Sequence, residues 1–435
     1  MRILVLGSGA REHALSAKLL SEPGVTHVIC APGNAGIART VVTAPVDVLD
    51  TDAVIRLVEQ ERIDLTVVGP EAPLAAGLAD HFEAEGRRVF GPTRAAARLE
   101  TSKAFAKDFM QRHMVPTARY RVCTSAAEAL QSIGSGEFGD ALVVKADGLA
   151  AGKGVVVASD RATAAQAVNA AMVDKTFGAA GASVVLEELL TGPEVSFFVV
   201  ANSEQYVPLL SAQDHKRIFD DDRGPNTGGM GAFSPSPLMN AALQSRIEHE
   251  IVQPVLRGMA AEGHPFRGFL YAGLMLTPDG PKVIEFNVRF GDPEAQVVFP
   301  LVEQPLSELL WSATAKAVPL GTSSPHSDGD GLSGRRAVGV VLAAHGYPGD
   351  VRTGDVITGL NDVARDCPDV ELRFAGVKQQ DDQLVTAGGR VLTVVATAPS
   401  FEIAIARAYE AASKIKFAGI QYRRDIGQKA LTNVE

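Results

Sequence analysis

Three polar side chains that alternate with apolar ones could bind a metal ion and an anion. Glu285, Asn287 and Arg289 stand two residues apart, with Phe286 and Val288 between them. Alternate side chains of a β-strand share one face, so a strand here would align a carboxylate, a carboxamide and a guanidinium. Carboxylate and amide oxygens suit Mg²⁺, which usually arrives with the phosphates of a nucleotide. The spacing therefore predicts a site for a hard cation; an edge strand with solvated polar residues is the alternative.

A glycine-rich loop is a second feature that could bind phosphate. It includes Gly152, Lys153 and Gly154, and apolar runs flank it on both sides, which predicts a strand–loop–strand unit. Glycines let backbone N–H groups approach an anion closely, and Lys153 and the earlier Lys145 would add positive charge. The GxxxxGK[ST] order is missing, so this is not a Walker A loop. The alternative is a flexible hairpin with surface lysines.

A Gly-Ser-Gly run that ends at Gly9 resembles the start of a dinucleotide-binding fingerprint. Two features argue against that interpretation: Glu12 replaces the third glycine, and residues 28–31 lack the acid that would bind a nicotinamide ribose. A helix N-terminus after such a turn still binds a phosphate group. A lone phosphate ester therefore fits better than a dinucleotide, and a purely structural turn is the alternative.

The elements that must position these residues begin with alternating strands and helices over residues 1–100. The predicted strands are residues 2–6, 25–30, 64–68 and 89–90. Each ends in Gly or Pro, which is typical of a parallel α/β sheet. Ligands of such sheets bind beyond the carboxyl ends of the strands. We therefore expect Gly9, Arg11, Asn34 and Glu71 to converge at a substrate site.

From about residue 101 the pattern changes to helices mixed with paired strands. The predicted helices are 102–111 and 401–415, and the predicted strands are 142–145, 155–158, 184–190, 195–200, 270–276, 283–290, 337–344, 370–374 and 391–396. A stretch rich in Gly, Ser, Asp and Pro at 319–334 is typical of a linker. We therefore predict three domains, at 1–100, 101–330 and 331–435.

Composition narrows the class of protein. A chain of 435 residues is too long for one hydrophobic core, and 46% hydrophobic with 21% charged residues is ordinary for a globular enzyme. The net charge of −10 argues against a nucleic-acid or anionic-membrane partner. The three cysteines are far apart, as expected of structural thiols in a reducing compartment. No apolar run suggests a signal peptide or a membrane span, so we expect a cytoplasmic enzyme.

With these motifs in order, the chain resembles the glycinamide ribonucleotide synthetase family of ATP-grasp ligases, from residue 7 to about residue 427. The motifs that carry the resemblance are 7–15, 32–34, 69–71, 145–154, 213–217, 224–232, 284–287 and 289–294. The block from 213 to 232 is highly specific. Two positions depart from the family pattern: Ala10 stands where Gly is usual, and Pro193 stands where an acid is common.

The resemblance implies both a fold and an activity. The expected fold class is α/β and α+β: an N-terminal parallel α/β domain, a two-lobed ATP-grasp whose mobile lobe spans about 121–188, and a small C-terminal α+β domain. The expected activity is the ATP-dependent joining of glycine to 5-phosphoribosylamine in de novo purine synthesis, through glycyl phosphate. The expected cofactor is Mg²⁺ or Mn²⁺, with ATP as co-substrate.

The resemblance also implies roles for individual residues. ATP binding is expected of Lys103, Lys145, Gly152, Lys153, Gly154, Glu187, Leu189 and Glu194, and metal binding of Glu285 and Asn287. Phosphoribosylamine is expected to face Gly9, Arg11, Asn34 and Glu71. For the chemical step we expect Lys145 to hold phosphate, Arg289 to hold the transferring group, and Asp214 to bind the ammonium of glycine.

Three other functions stay open at this point. Another ATP-grasp carboxylate–amine ligase is one, and the block from 213 to 232 argues against it. A nicotinamide-dependent dehydrogenase is the second, and the incomplete glycine fingerprint disfavours it. A non-catalytic ATP-binding regulator should have lost its metal ligands, yet Glu285 and Asn287 are present. The sequence is compatible with a monomer or a small homo-oligomer.

Overall fold

Parallel strands connected by helices form the N-terminal region, as the sequence predicts. The computed structural model describes residues 1–150, 154–315 and 334–432. The strands here are β1 (Arg2–Gly7), β2 (His27–Pro32), β3 (Val42–Thr43), β4 (Leu65–Val68) and β5 (Val89–Phe90), and the helices are α1 (Ala10–Leu20), α2 (Thr51–Gln60), α3 (Glu71–Ala76) and α4 (Leu78–Ala84). They pair in parallel in the order β3-β2-β1-β4-β5. The apolar runs become strands because nearly every side chain of β1 and β4 is buried.

The loops after β1, β2 and β4 lie at one edge of this sheet, because parallel strands all end on the same side. The first two loops touch, since Asn34 Nδ2 donates a hydrogen bond to the carbonyl oxygen of Ser8 over 2.8 Å. Helix α1 begins at Ala10, directly after Gly9, and α3 begins at Glu71. The short strand β3 escaped the sequence analysis because its two residues form no apolar run.

A four-stranded antiparallel sheet with its own core follows. Its elements, with the helices that lead into it, are α5 (Arg98–Thr101), α6 (Lys103–Arg112), β6 (Tyr120–Cys123), α7 (Ala126–Ser135), β7 (Leu142–Ala146), β8 (Val155–Ala158), α8 (Arg161–Val168) and β9 (Val184–Glu188). The strand order is β6-β9-β7-β8. Side chains such as Leu142, Val144 and Leu186 form a hydrophobic cluster of their own under α7 and α8. The predicted pairing across the glycine loop is confirmed, because β7 and β8 are antiparallel neighbours.

A second antiparallel sheet carries the metal-ligand candidates. The elements of this region are β10 (Glu194–Asn202), β11 (Gln205–Pro208), β12 (Gln213–Asp214), β13 (Arg217–Phe219), β14 (Arg223–Asn226), β15 (Gly231–Ser234), α9 (Ala241–Ile247), α10 (Gln253–Ala261), β16 (Arg267–Thr277), β17 (Gly280–Asn287), α11 (Glu294–Val298) and α12 (Leu306–Ala313). The sheet has the order β11-β10-β16-β17. The stretch 224–232, one of the motifs that carry the resemblance, contains parts of β14 and β15.

The pairing of β16 with β17 contains an irregularity beside Glu285. Gly273 is opposite Glu285, but the next residue, Leu274, is opposite Val283, so Ile284 has no cross-strand partner. Such a bulge leaves one backbone group free and increases the local twist. Strand β17 then ends at Asn287. The predicted strand 283–290 is therefore too long at its end, and Arg289 lies beyond it.

The C-terminal region completes a third antiparallel sheet, which has five strands. Its elements are β18 (Arg336–Ala343), α13 (Leu360–Asp366), β19 (Val370–Phe374), β20 (Val377–Gln380), β21 (Gln383–Thr386), β22 (Arg390–Ala398), α14 (Phe401–Lys414) and α15 (Lys429–Thr432). The order β12-β15-β18-β22-β19 takes two strands from before residue 330. Hydrogen bonding thus continues across the domain boundary predicted there, which stays a prediction. Residues 319–333 of the predicted linker lie outside the described residues.

All three cysteines are free thiols in buried positions. Burial raises the pKa of the Cys30 thiol to about 12 and that of Cys123 to about 11, so both stay protonated at neutral pH. Protonated buried thiols are poor nucleophiles, which makes them packing groups. Among the described residues, no helix combines the length and apolar character that crossing a membrane requires.

Candidate active site

Glu285 and Asn287 lie on one face of the sheet formed by β10, β16 and β17. Glu285 is opposite Gly273, and Asn287 is opposite Tyr271. On the other side of β16, Gly273 is opposite Ser196. Directly opposed residues of a sheet share a face, so these five residues form two adjacent rows. The predicted sharing of a face by Glu285 and Asn287 agrees with this register.

The donor set suits a divalent cation that binds together with a nucleotide. Within the described residues, no group of three His, Cys, Asp or Glu side chains could hold a metal by itself. Mg²⁺ does not need such a group, because it commonly takes one or two protein ligands and completes its shell with water and phosphate. A carboxylate from Glu285 and an amide oxygen from Asn287 provide that minimum.

Two lysines share one buried carboxylate next to this sheet. Glu187 Oε2 lies 2.8 Å from Lys107 Nζ, and Glu187 Oε1 lies 2.9 Å from Lys145 Nζ. Burial by itself would raise the pKa of Glu187, but the two ammonium groups hold it below its usual value. Burial lowers the pKa of Lys107 to about 8, although the negative charge of Glu187 acts to raise it. The sequence analysis missed Lys107, although it stands four residues after Lys103 on the same face of α6.

The other residues expected to bind ATP surround this group. Lys103 Nζ donates to the carbonyl oxygen of Gly148 over 3.1 Å, beside the glycine loop. Leu189 follows β9 and is partly exposed. Gly152 and Lys153 lie outside the described residues. Gly154 is described, and a Cβ there would lie 2.8 Å from the Ala150 methyl, so a side chain at that position would crowd the loop.

Glu187 points inward rather than toward a ligand. Its carboxylate is paired with Lys107 and Lys145, so its side chain positions those lysines. Glu194, also expected to bind ATP, has an ionic partner within the chain as well. Glu194 Oε2 lies 2.5 Å from Lys216 Nζ, so one of its oxygens is already in an ion pair.

Asp214 and Lys216 are both partly buried. Burial and the nearby carboxylates raise the pKa of Asp214 to about 7, although Lys216 opposes the shift. Burial would lower the pKa of Lys216, but Asp214 and Glu194 raise it well above its usual value. The ammonium of Lys216 therefore stays charged between two acids. Nearby, Asp222 pairs with the fully buried Arg423 at 2.8 Å.

Arg289 faces the N-terminal loops, which corrects its predicted place in the metal row. Its Nη2 lies 2.9 Å from Glu100 Oε1, and its Nε donates to Glu71 Oε2 over 3.3 Å. Burial would lower the pKa of Arg289, but the two carboxylates raise it, so the guanidinium stays charged. Arg289 faces these loops instead of the metal row because β17 ends at Asn287, and side chains beyond the strand no longer alternate between its two faces. Glu100 carried no sequence signal, because it is an isolated acid in a short helix.

Glu12 fills the space under the Gly-Ser-Gly turn. Its carboxylate accepts a hydrogen bond from the Gly9 N–H over 2.7 Å and pairs with Arg11 Nε at 2.6 Å. A Cβ on Gly69 would lie 2.2 Å from Glu12 Oε1. The Glu12 carboxylate thus fills space between helix α1 and the parallel sheet. A glycine at position 12 would leave that space open. The structure gives a physical reason why the nicotinamide alternative fails.

Asn34 holds loops together through both ends of its side-chain amide, and its predicted contact with substrate stays a prediction. Its Oδ1 accepts from the backbone N–H groups of Gly36 and Ile37 at 2.8 and 2.9 Å. Its Nδ2 donates to the carbonyl oxygens of Ser8 at 2.8 Å and Phe374 at 3.2 Å, and also to that of the following residue. Both ends of the amide are therefore occupied by backbone. Asn34 positions the Gly9 loop against the C-terminal sheet.

Sequence models of one known protein family match most of the chain. Residues 1–100 match the N domain of phosphoribosylglycinamide synthetase, residues 101–295 match its ATP-grasp (A) domain, and residues 337–429 match its C domain. The ranges cover all the residues discussed above as site candidates.

Individual proteins are also similar to this chain in sequence or in structure. The chain is 47% identical to a phosphoribosylamine–glycine ligase of Ralstonia nicotianae, over 99% of this chain and 100% of that protein. Its structure is similar to the crystal structure of a phosphoribosylamine–glycine ligase from Thermotoga maritima, with a TM-score of 0.82, 34% identity, and coverage of 98% and 100%. A biotin carboxylase from Campylobacter jejuni, at 16% identity, a TM-score of 0.70 and coverage of 98% and 93%, shares the fold. The chain therefore belongs to the phosphoribosylglycinamide synthetase family.

Proposed function

We propose that this chain is an ATP-dependent ligase that joins glycine to 5-phosphoribosylamine, giving glycinamide ribonucleotide, ADP and phosphate. The observation that carries the proposal is that two parts of the site, here called half-sites, are connected through Arg289. The Glu285–Asn287 row suits a metal–nucleotide, and the Gly9 loop with Glu71 suits a sugar phosphate. Arg289 follows the first half-site in sequence and contacts the second through Glu71.

The reaction needs an activated carboxylate, because oxygen is a poor leaving group when an amine attacks a free carboxylate. Transfer of the γ-phosphoryl group of ATP to a carboxylate oxygen of glycine gives glycyl phosphate and ADP. The amine nitrogen of phosphoribosylamine then forms the C–N bond, phosphate leaves, and the nitrogen gives up one proton. Phosphoryl transfer depends on positioning and charge neutralisation more than on a protein nucleophile.

The residues of this chain divide these tasks. We assign phosphate binding to Lys145 and Lys103, together with Lys153, Gly152 and Gly154 of the glycine loop. The ion pair with Glu187 and the bond to the Ile284 carbonyl fix the ammonium of Lys145 beside the metal row. We assign the adenine and ribose to the segment from Glu187 through Leu189 to Glu194, mainly through its backbone.

The metal is assigned to Glu285 and Asn287, with Mg²⁺ or Mn²⁺ as the ion. When bound, a divalent ion neutralises charge on the transferring phosphoryl group. Arg289, held in one orientation by Glu71 and Glu100, supplies a fixed positive charge between the half-sites. We assign the ammonium of glycine to Asp214, and the ribose phosphate to Gly9 and Arg11, with Glu71 and Asn34 as supports.

We also propose a domain organisation, a cellular location and an oligomeric state for the chain. Domains at 1–100, 101–330 and 331–435 fit the four larger sheets. The first domain holds the parallel sheet, the second holds both four-stranded sheets, and the third holds most of the remaining five-stranded sheet, which also includes β12 and β15. The separate core of the lobe at about 121–188 supports its motion over the nucleotide, which would keep water from the acyl phosphate. A cytoplasmic location, a monomer or small homo-oligomer, and no nucleic-acid or membrane partner complete the proposal.

The test is the substrate requirement of ADP formation. We expect ADP and phosphate to appear only when glycine, 5-phosphoribosylamine and Mg²⁺ are all present, and a product with the mass of glycinamide ribonucleotide to accumulate equally. With glycine labelled by heavy oxygen in its carboxylate, the released phosphate should carry one labelled oxygen. Release of unlabelled phosphate would reject the acyl phosphate, and turnover with another carboxylate but not glycine would favour a different ATP-grasp ligase.

A further inference from the structure

Asp147 directly follows β7, where the glycine loop begins, and it contacts the helix that precedes the proposed mobile lobe. Its Oδ1 accepts hydrogen bonds from the backbone N–H of Ala104 over 2.8 Å and from Ser102 Oγ over 3.0 Å. Its carbonyl oxygen accepts from the N–H of Lys103 over 3.1 Å. One residue of the lobe at about 121–188 therefore bonds to three consecutive residues at the start of α6.

These contacts complete the N-terminal cap of α6. The first four N–H groups of a helix have no partner within the helix and need one from outside it. Ser102 is the N-cap residue: its own N–H bonds to α5 over 3.2 Å, and its Oγ accepts from the N–H of Phe105 over 3.1 Å. In the described part of the chain, the N–H groups of Lys103 and Ala104 bond only to Asp147. The lobe thus supplies half of the cap.

Asp147 is also held firmly within the lobe. Its Oδ2 accepts from Ser183 Oγ over 3.2 Å, and its N–H donates to the carbonyl oxygen of Ser183 over 3.1 Å. The N–H of Gly148 donates to the carbonyl oxygen of Ala180 over 3.2 Å, and a Cβ on Gly148 would lie 2.8 Å from the Ala180 methyl. Backbone contacts therefore fix Asp147 on this side, so loss of its carboxylate should release α6 rather than β7.

Lys103 is the residue whose position depends on this cap. It is the first residue of α6, and its Nζ donates to the carbonyl oxygen of Gly148 over 3.1 Å. An ammonium group has three donors, and among the described residues this carbonyl is its one hydrogen-bond acceptor. Burial lowers the pKa of Lys103, although Glu285 and Asp147 act to raise it. The remaining donors are available to an anion such as a phosphate oxygen.

We propose that Asp147 is a positioning residue that caps α6 from the lobe and thereby holds Lys103 in place to bind a phosphate of the nucleotide. The inference rests on the proposed function, which assigns phosphate binding to Lys103. The positive end of the helix dipole also favours a carboxylate at this place. If the lobe moves away from α6, the cap is lost and the first turn of the helix can fray. Lys103 is therefore fixed only when the lobe and α6 meet as they do here.

The test is the dissociation constant of the non-hydrolysable analogue AMP-PNP with Mg²⁺, measured by calorimetry without glycine or phosphoribosylamine. Asp147→Ala removes the side-chain half of its cap, so Kd should rise about tenfold. Asp147→Asn keeps an oxygen for Ala104 and Ser102, so its Kd should stay within about threefold of wild type. Asp160→Ala is the matched control: Asp160 caps α8 of the same lobe through the N–H of Thr163 over 2.8 Å, and its loss should leave Kd unchanged.

A double-mutant cycle decides whether Asp147 acts through Lys103. Lys103→Met alone should raise Kd, and adding Asp147→Ala should raise it by less than about twofold further, because the lysine to be positioned is gone. Ser183→Ala should leave Kd within about twofold of wild type, because the backbone contact with Ser183 remains. Fully additive effects of the first two changes would overturn the inference. So would a Kd of Ser183→Ala or of Asp147→Asn as high as that of Asp147→Ala.

The outcomes separate this inference from the proposed function. If the wild-type enzyme binds AMP-PNP but does not use glycine, the proposed function fails; if it does not bind AMP-PNP, both fail. If folded Asp147→Ala keeps its Kd within about twofold of wild type, this inference alone fails. If Asp147→Ala does not fold, hydrogen exchange of the wild-type enzyme decides. Because coupling is reciprocal, AMP-PNP should slow exchange at the N–H groups of Lys103 and Ala104 more than at that of Thr163. Equal slowing at all three would overturn the inference.

Discussion

Lys145 Nζ donates a hydrogen bond of 2.9 Å to the carbonyl oxygen of Ile284. Ile284 is the residue that the irregular pairing of β16 and β17 leaves without a cross-strand partner, and it directly precedes Glu285. The bulge thus frees a backbone acceptor for a lysine from a different sheet. This contact joins the glycine-loop lobe to the metal row, so the groups proposed to hold phosphate and metal lie next to each other in this arrangement of the lobes.

Removing the charge of Glu285 should nearly abolish turnover. Glu285→Gln keeps the size of the side chain but removes the negative charge proposed to hold Mg²⁺, so kcat should fall about 10³-fold or more. Asn287→Ala should lower kcat less, because water can replace one neutral ligand. Phe286→Leu, on the buried opposite face, should leave kcat within about tenfold. Steady-state kinetics at saturating Mg²⁺ check this, with folding followed by circular dichroism. A folded Glu285→Gln enzyme with near wild-type kcat would make the metal assignment wrong.

Neutralising Glu187 should destabilise the protein far more than neutralising its neighbour. Glu187→Gln leaves the ammonium groups of Lys107 and Lys145 buried without their shared carboxylate, which should cost about 3–5 kcal/mol of unfolding free energy. Glu188→Gln is the matched control, because its ion pair is with the exposed Arg119 and should contribute about 1 kcal/mol or less. Urea denaturation of both variants measures the difference. Equal losses would show that the buried network contributes no special stability.

Stability should decrease between pH 7 and pH 5 in a way that depends on His13. Burial, aided by Arg373, lowers the pKa of His13 to about 3, whereas the unfolded chain keeps its ordinary value of 6.5. Below pH 6.5 the unfolded state therefore binds a proton that the folded state does not, so unfolding free energy falls as pH falls, until about pH 3. His13 should account for about 2 kcal/mol of the loss between pH 7 and pH 5.

The variant His13→Gln measures that contribution. Glutamine does not titrate, so the loss of unfolding free energy between pH 7 and pH 5 should shrink by the amount that His13 supplies. His215 serves as an internal reference, because burial lowers its pKa to about 3 as well and it remains in the variant. The comparison is the difference between two pH values within each protein, so a uniform loss of stability cancels. An unchanged pH dependence would show that His13 takes up a proton in the folded state.

A side chain at Gly9 should affect one substrate selectively. A Cβ there would lie 2.9 Å from Glu12 Oε2 and 3.4 Å from Asp292 Oδ2, so Gly9→Val must disturb the turn. Because the turn is proposed to hold the ribose phosphate, the KM for phosphoribosylamine should rise while the KM for ATP stays near wild type. Gly134→Ala is a control that places a methyl group in open space on helix α7. An equal rise in the KM for ATP would show that another substrate binds at this loop.

Local periodicity in the sequence was sufficient to predict several features of the fold and the site. Apolar runs ended by Gly or Pro predicted the parallel N-terminal sheet, and its strands form at those runs. The alternation around Phe286 placed Glu285 and Asn287 on one face, because side-chain direction in a strand reverses at every residue. The absence of the third glycine, at Glu12, argued correctly against a nicotinamide fingerprint.

Contacts between residues far apart in sequence became visible only in the folded chain. Glu100 pairs with Arg289, Lys107 shares Glu187 with Lys145, and a hydrogen-bonded chain of Glu294, Ser196 and Tyr271 joins three elements. Strands β12 and β15 pair into the C-terminal sheet although the composition of the chain changes only later. Cross-strand register, the end of β17 and the burial of charge depend on packing between segments far apart in sequence. A pattern of neighbouring residues carries no information about such contacts, so these were the parts that the sequence left undetermined.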